Sequence, residues 1–184
     1  PLMKSNRIIL GLDPGTNLMG FGIIKKSGEK LKAIQYGVIK MNKEKNHLIK
    51  LKMIFDSVNN LIDEFNPNEI SIESPFFGKN VQSMLKLGRA QGVAMLAGEI
   101  KKIKITEYAP KKIKQSVTGN GNASKEQLSE MVKNILNLDI KKNEKFDATD
   151  ALGAAICHFY QKSNNQTPKK SWKEYVISNP EKLI

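Results

Sequence analysis

A chain of 184 residues and 20.6 kDa, 40% hydrophobic and 26% charged, is sized for one domain that buries about two-thirds of its unfolded surface. No apolar run of about 18 residues and no signal-peptide pattern occurs, and the lone Cys157 excludes an internal disulfide or a cysteine-based zinc site. A soluble, cytoplasmic protein in a reducing setting is expected.

A net charge of +12 and a pI near 9.7 favour a polyanionic partner, nucleic acid ahead of anionic membrane. The plainer alternative is a solvated lysine-rich surface. Of the 30 basic residues only Arg7 and Arg89 are arginine. Lysine holds phosphate as a point charge and lacks the fork that reads guanine, so recognition of backbone and shape is favoured over broad base readout.

In chain order, residues 1–6 form an N-terminal extension whose Pro1-Leu2 resembles a cloning remnant. Residues 7–13 read as a buried strand, followed by the turn Asp13-Pro14-Gly15-Thr16-Asn17. Residues 21–24 give a second strand, Ser27-Gly28-Glu29 a turn and residues 32–40 a third strand. Their short connections make the three antiparallel neighbours. Over 47–65 the period changes: Leu48, Leu51, Phe55, Val58, Ile62 and Phe65 fall on one helical stripe, stopped by Asn66-Pro67-Asn68.

Residues 69–73 form a fourth strand, 80–100 a helix rich in small side chains, and 103–107 a fifth strand. Ser124 with Gln127 has the form of a capping box opening a helix to about Leu138. A last helix runs from about Phe146 to Tyr160. The expected fold is α/β: a mixed five-stranded sheet, three antiparallel strands then parallel additions, flanked by helices, within one domain over residues 7–161. Residues 162–184 are a polar C-terminal tail, expected to be loosely attached, in which Trp172, Tyr175 and Val176 could dock a short helix.

Four carboxylates stand at element ends. Asp13 closes the first strand and Glu73 the fourth, so parallel pairing of these strands would bring both to one sheet edge. Asp147 and Asp150 are three residues apart in the first turn of the last helix, on a shared face, where the helix N-terminus favours their ionised forms. Separately, these acids would mean a turn or a cap. Together in a partly buried cluster they would repel one another and need cations, which predicts a preformed hard-cation site. Oxygen-only ligation suits Mg²⁺ or Mn²⁺, and a pair of ions about 3.5–4 Å apart suits in-line displacement at phosphorus.

Several segments resemble the RuvC-type Holliday junction resolvases of the ribonuclease H-like superfamily. They are Ile9-Leu10-Gly11-Leu12-Asp13-Pro14-Gly15, Ile72-Glu73 with Phe76, the run from Leu85 to Gly92, Glu107-Tyr108-Ala109-Pro110, and the run from Asp147 to Leu152. They occur in family order and spacing over roughly residues 7–160, and the set is far more specific than any member. The resemblance implies a ribonuclease H-like fold with Asp13, Glu73, Asp147 and Asp150 as the metal-binding catalytic groups. It also implies Mg²⁺ as cofactor, two ions per site with Mn²⁺ able to substitute. The implied activity is paired, symmetric nicking of a four-way DNA junction by a homodimer, leaving 5′-phosphate and 3′-hydroxyl ends in recombination and repair. A branch-migration helicase complex is the implied partner.

After Glu73, Phe76 matches the family's junction-contacting aromatic, and base stacking on it would contribute about 1–3 kcal/mol. For Phe77 a hydrophobic staple ahead of the Asn80 helix is an equal alternative to DNA contact. Lys79 and Lys111 are further DNA-binding candidates, while Lys114 and Lys125 match basic positions near the scissile phosphate. Small residues at Gly88, Ala90, Gly92, Ala94, Ala97 and Gly98 permit close helix approach, either onto the sheet or, as the resemblance implies, across a dimer interface through the helix at 80–100. His158 lies about 12 Å along its helix from Asp150, too far to share its metal, and reads as a core or surface residue.

Three other readings compete. The Leu12-to-Thr16 turn resembles the phosphate loop of the actin, chaperone and sugar-kinase ATPases, which need two lobes. A nuclease of the same superfamily acting on RNA or damaged duplex is a second alternative. A protein that holds junctions without cutting them is the third.

Overall fold

Alternation of apolar and polar residues in the short strands decides which face each side chain takes. The computed structural model describes residues 7–28, 30–75, 80–139 and 146–164. The expectations for residues 1–6, for Phe76, Phe77 and Lys79, and for most of the 162–184 tail lie outside the described residues.

Ile8–Asp13 (β1), Leu18–Ser27 (β2), Lys30–Lys40 (β3), Glu69–Glu73 (β4) and Lys104–Tyr108 (β5) form one sheet of order β3-β2-β1-β4-β5. β2 pairs antiparallel with β1 and β3, whereas β4 is parallel to β1 and β5. This is the expected mixed sheet. β2 is longer than the apolar run 21–24 suggests, because ladders on both sides extend it, with a register shift at Ile23/Ile24.

The helices are His47–Phe65 (α1), Val81–Ile100 (α2), Pro110–Thr118 (α3), Lys125–Leu136 (α4) and Phe146–Asn164 (α5). Their ends follow side-chain chemistry. Asn46 accepts hydrogen bonds from the Leu48 and Ile49 amides, and Asn80 from that of Ser83. Ser124 and Gln127 close the capping box reciprocally. Asn66 and Asn137 end α1 and α4 in the left-handed conformation, at φ 46° and 51°. The sequence reading assigned no element to α3, a helix opened by Pro110 at its first position and buried only through Ile113 and Val117.

Two apolar layers sandwich the sheet. Leu10, Leu12, Met19, Ile23, Ile70 and Ile72 face α1 and α2, where Ile54, Val58, Ile62, Ala90, Ala94 and Ala97 meet them. The opposite faces of β1 and β2 meet α5, supported by α3 and α4 through Ile113, Val117, Leu128 and Val132. α5 lies unusually close to the strands because glycines clear its path. A Cβ on Gly11 would stand 2.0 Å from the Ala151 carbonyl oxygen, and one on Gly20 1.9 Å from that of Asp147. The chain leaves β1 towards β2 on one side while β4 and β5 continue on the other. The C-terminal ends of β1 and β4 lie side by side at this switch in direction.

Candidate active site

β4 reads Glu69-Ile70-Ser71-Ile72-Glu73. Period-two alternation sends both isoleucines to the α1/α2 core, so the three polar residues share the α5 face. On β1 the same face carries Ile9, Gly11 and Asp13. The last paired residues of these parallel strands are Leu12 and Ile72, so Asp13 and Glu73 emerge side by side, as the sequence predicts. The close pass of α5 over Gly20 and Gly11 then brings its N-terminal end, with Asp147 in the first turn and Asp150 just beyond it, to the same end of the sheet.

The electrostatics agree with this proximity. Burial first, then the charges of Glu73 and Asp150, push the Asp13 carboxyl up to about 8, Asp147 adding to the rise and Lys125 opposing it. Burial and Asp150 push Glu73 up to about 7 against Lys125 and Lys114. Asp150, 4% exposed, is also raised, chiefly by burial. Desolvation thus opposes the helix N-terminus, which favours the ionised form.

One cation answers the cluster directly. Lys125 Nζ donates to Asp150 Oδ2 at 2.9 Å, with its own side chain 59% exposed. Burial would lower its pKa, but the hydrogen bond to Asp150 and the charges of Asp150, Asp13 and Glu73 raise it on balance. Among the described residues, no three His, Cys, Asp or Glu side chains form a ready metal cage.

Lys114, on α3, acts on Glu73 and Asp150 and so faces the same pole. The Lys111 side chain lies against Gly121 of the loop between α3 and α4. Gln91, within the Leu85-to-Gly92 run but given no role from the sequence, is buried on α2 and donates to Glu107 Oε2 at 2.6 Å. The sequence reading also missed a half-buried polar cluster around the buried His158, at the far end of the β4–α5 contact. There His158 Nε2 lies 2.6 Å from Glu69 Oε2, and His158 Nδ1 2.9 Å from the Tyr108 hydroxyl. The one local signal was the polar alternation of β4.

Comparison with known proteins agrees with this geometry. A sequence model described as "Crossover junction endodeoxyribonuclease RuvC" matches residues 9–158. The crossover junction endodeoxyribonuclease RuvC of Christiangramia forsetii is 54% identical, over 99% of this chain and 95% of its own. The structure of Thermus thermophilus RuvC is similar at a TM-score of 0.74 and 27% identity, covering 85% of this chain and 96% of that one. RuvC from the same organism in complex with Holliday junction substrate gives 0.74 at 25% identity, with coverage of 85% and 96%. The chain belongs to the crossover junction endodeoxyribonuclease RuvC family.

Proposed function

We propose that Asp13, Glu73, Asp147 and Asp150 are the catalytic carboxylates with which this crossover junction endodeoxyribonuclease resolves four-way DNA junctions. The carrying observation is their convergence at one sheet end, where burial and mutual repulsion hold Asp13 and Glu73 near pKa 8 and 7. Buried like charges of this kind want a counter-cation, and an all-oxygen donor set fits Mg²⁺, with Mn²⁺ as substitute. When bound, a pair of such ions supplies charge neutralisation at phosphorus and at the attacking and leaving oxygens.

The protein's own groups do the remainder. Asp13 and Glu73, fixed on adjacent strands, hold one side of the centre, and Asp147 and Asp150 approach from α5. Lys125 and Lys114 stand at the rim, where a scissile phosphate would draw Lys125 away from Asp150. Lys111, with Phe76, Phe77 and Lys79 after β4, extends the same DNA-facing assignment. The products are a 5′-phosphate and a 3′-hydroxyl.

Two opposed nicks need two centres, and α2 supplies a surface for a homodimer. Ala90, Ala94, Ala97 and Gly98 turn inward, Gly98 against Ile70 and Ile105. Outward, Val81, Leu85 and Leu96 are exposed beside Gly88 and Gly92, whose Cβ positions open to free space. The small-residue stripe thus divides between the core and the proposed interface. Leu96→Glu should convert dimer to monomer in sedimentation and suppress paired cleavage. Family membership alone suggests a branch-migration helicase partner and a cytoplasmic setting; among the described residues no helix is long and apolar enough to cross a membrane. The nuclease unit is assigned to residues 7–161.

The deciding assay uses end-labelled four-way junctions beside plain duplex, in Mg²⁺ and in chelator. Symmetric, paired, metal-dependent nicks confined to the junction support the reading. Cutting of duplex would make the protein a general nuclease, and tight binding without any cleavage would make it a junction-holding protein.

A further inference from the structure

We propose that the half-buried cluster of Arg7, Glu69 and Tyr108 around the buried His158 sets the register of α5 on β4, making Glu69 and His158 positioning residues for the distant carboxylate centre. The inference rests on the reading of Asp13, Glu73, Asp147 and Asp150 as that centre.

The β4–α5 contact is a polar seam with three tie points. At one end His158, 1% exposed, meets Glu69 at 2.6 Å. In the middle Ser71 Oγ donates to the Ala154 carbonyl at 2.7 Å. At the other end stand Glu73 and Asp150, close enough for Asp150's charge to raise the Glu73 pKa. Along β4 the tie residues advance by two, about 6.6 Å per step at 3.3 Å per residue. Along α5, running the opposite way, they retreat by four, about 6 Å per step at 1.5 Å per residue. The two spacings nearly coincide, so fixing one end of the seam fixes the other.

Only the far end carries the information. The serine in the middle can donate to any exposed carbonyl, and the acids at the near end repel each other. The Glu69–His158 pair is specific to its side chains. A carboxylate only accepts, so Nε2 carries the proton between them, and Nδ1 is left for the Tyr108 hydroxyl. Glu69 is itself anchored by Arg7 at 2.7 Å, and the Arg7 guanidinium lies 5.4 Å from the centre of the Phe159 ring. A slip of α5 by one residue would rotate it about 100° and break these contacts together. Repulsion at the carboxylate pole pushes α5 off the sheet, and the clasp opposes that push.

The test titrates Mn²⁺ into DNA-free protein and measures junction cleavage, well below the melting temperature of each variant. His158→Ala should weaken Mn²⁺ binding and lower kcat by about tenfold, the lower end of the range for groups that orient ligands indirectly, while KM for the junction stays unchanged. His158→Gln, which keeps a donor to Glu69, should restore most of both. Tyr108→Phe, which deletes a single hydroxyl and keeps the ring, should move both readouts in the same direction by a smaller factor, and covers the case in which His158→Ala does not fold. Folded variants with a lower melting temperature but unaltered Mn²⁺ affinity and kcat would overturn the proposal. Asp150→Asn must weaken Mn²⁺ binding in the same titration. If it does not, the carboxylate reading itself fails.

Discussion

Glu69 and Glu73 occupy one short strand, on one face, four residues apart, yet their surroundings are opposite. Glu69 receives Arg7 at 2.7 Å and His158 at 2.6 Å. Glu73 faces Asp150, and burial first, then that charge, raise its pKa to about 7. The strand is the same, so neither β-structure nor burial alone explains the difference. What differs is the company supplied by the rest of the fold: a cation and an imidazole at one end, and three further carboxylates with an exposed lysine at the other. The fold supplies partners to the acid at one end and gathers the proposed catalytic acids at the other.

Removing an acid at each end should therefore give effects of opposite sign. Asp13→Asn should reduce junction cleavage by roughly three orders of magnitude and leave junction binding intact. In metal-free protein the same change should stabilise. Folded Asp13 keeps its proton up to about pH 8, whereas its ordinary value is 3.8. Folding thus takes up a proton between those values, and native stability falls as pH rises through that window. Asp13→Asn should raise the melting temperature by roughly 5 °C or more at pH 8, the gain shrinking towards pH 4. Mg²⁺ should raise the wild-type melting temperature at pH 8 and have much less effect on the variant.

Glu69→Ala should do the reverse, costing about 3 kcal/mol by leaving Arg7 and His158 without their shared acceptor, measurable by urea unfolding at pH 7. Equal signs for Asp13→Asn and Glu69→Ala would break the contrast between the two ends. A smaller change sharpens it. Lys125→Met removes the one internal cation bonded to Asp150, so at pH 8.5 Mn²⁺ should bind DNA-free protein a few-fold more tightly, by calorimetry, although cleavage falls. Weaker Mn²⁺ binding would mean that the lysine organises the acids rather than occupying them. Smallest is Ser124→Ala, which removes the cap that starts α4 at Lys125 and should cost about 1 kcal/mol in thermal unfolding.

The ribonuclease H-like sheet was largely legible in the sequence because its strands are short and clearly patterned. Glu69-Ile70-Ser71-Ile72-Glu73 announces both its period and its two faces, and the α1 stripe ends where an asparagine adopts a left-handed turn. The four acids were legible because each terminates an element. α3 was not, since Lys111, Lys112 and Lys114 blur its pattern and only Ile113 and Val117 mark a buried side. Pro110 and Gly119 were the available signals. Two pairings are not written locally, beyond the polar alternation of β4. Glu69 and His158 are 89 positions apart, and nothing near Lys125 in the chain says that it rests on Asp150.

The bare backbone at Gly11 and Gly20 has a consequence for inheritance. Every single-base change that replaces a glycine adds at least a methyl group, and here that group would overlap the main chain of α5 in the turns that carry Asp147 and Asp150. The helix cannot yield without lifting both acids from Asp13 and Glu73. Substitutions at these two sites are thus natural sources of conditional alleles, in which a cell keeps the protein, and its grip on branched DNA, but loses resolution as temperature rises.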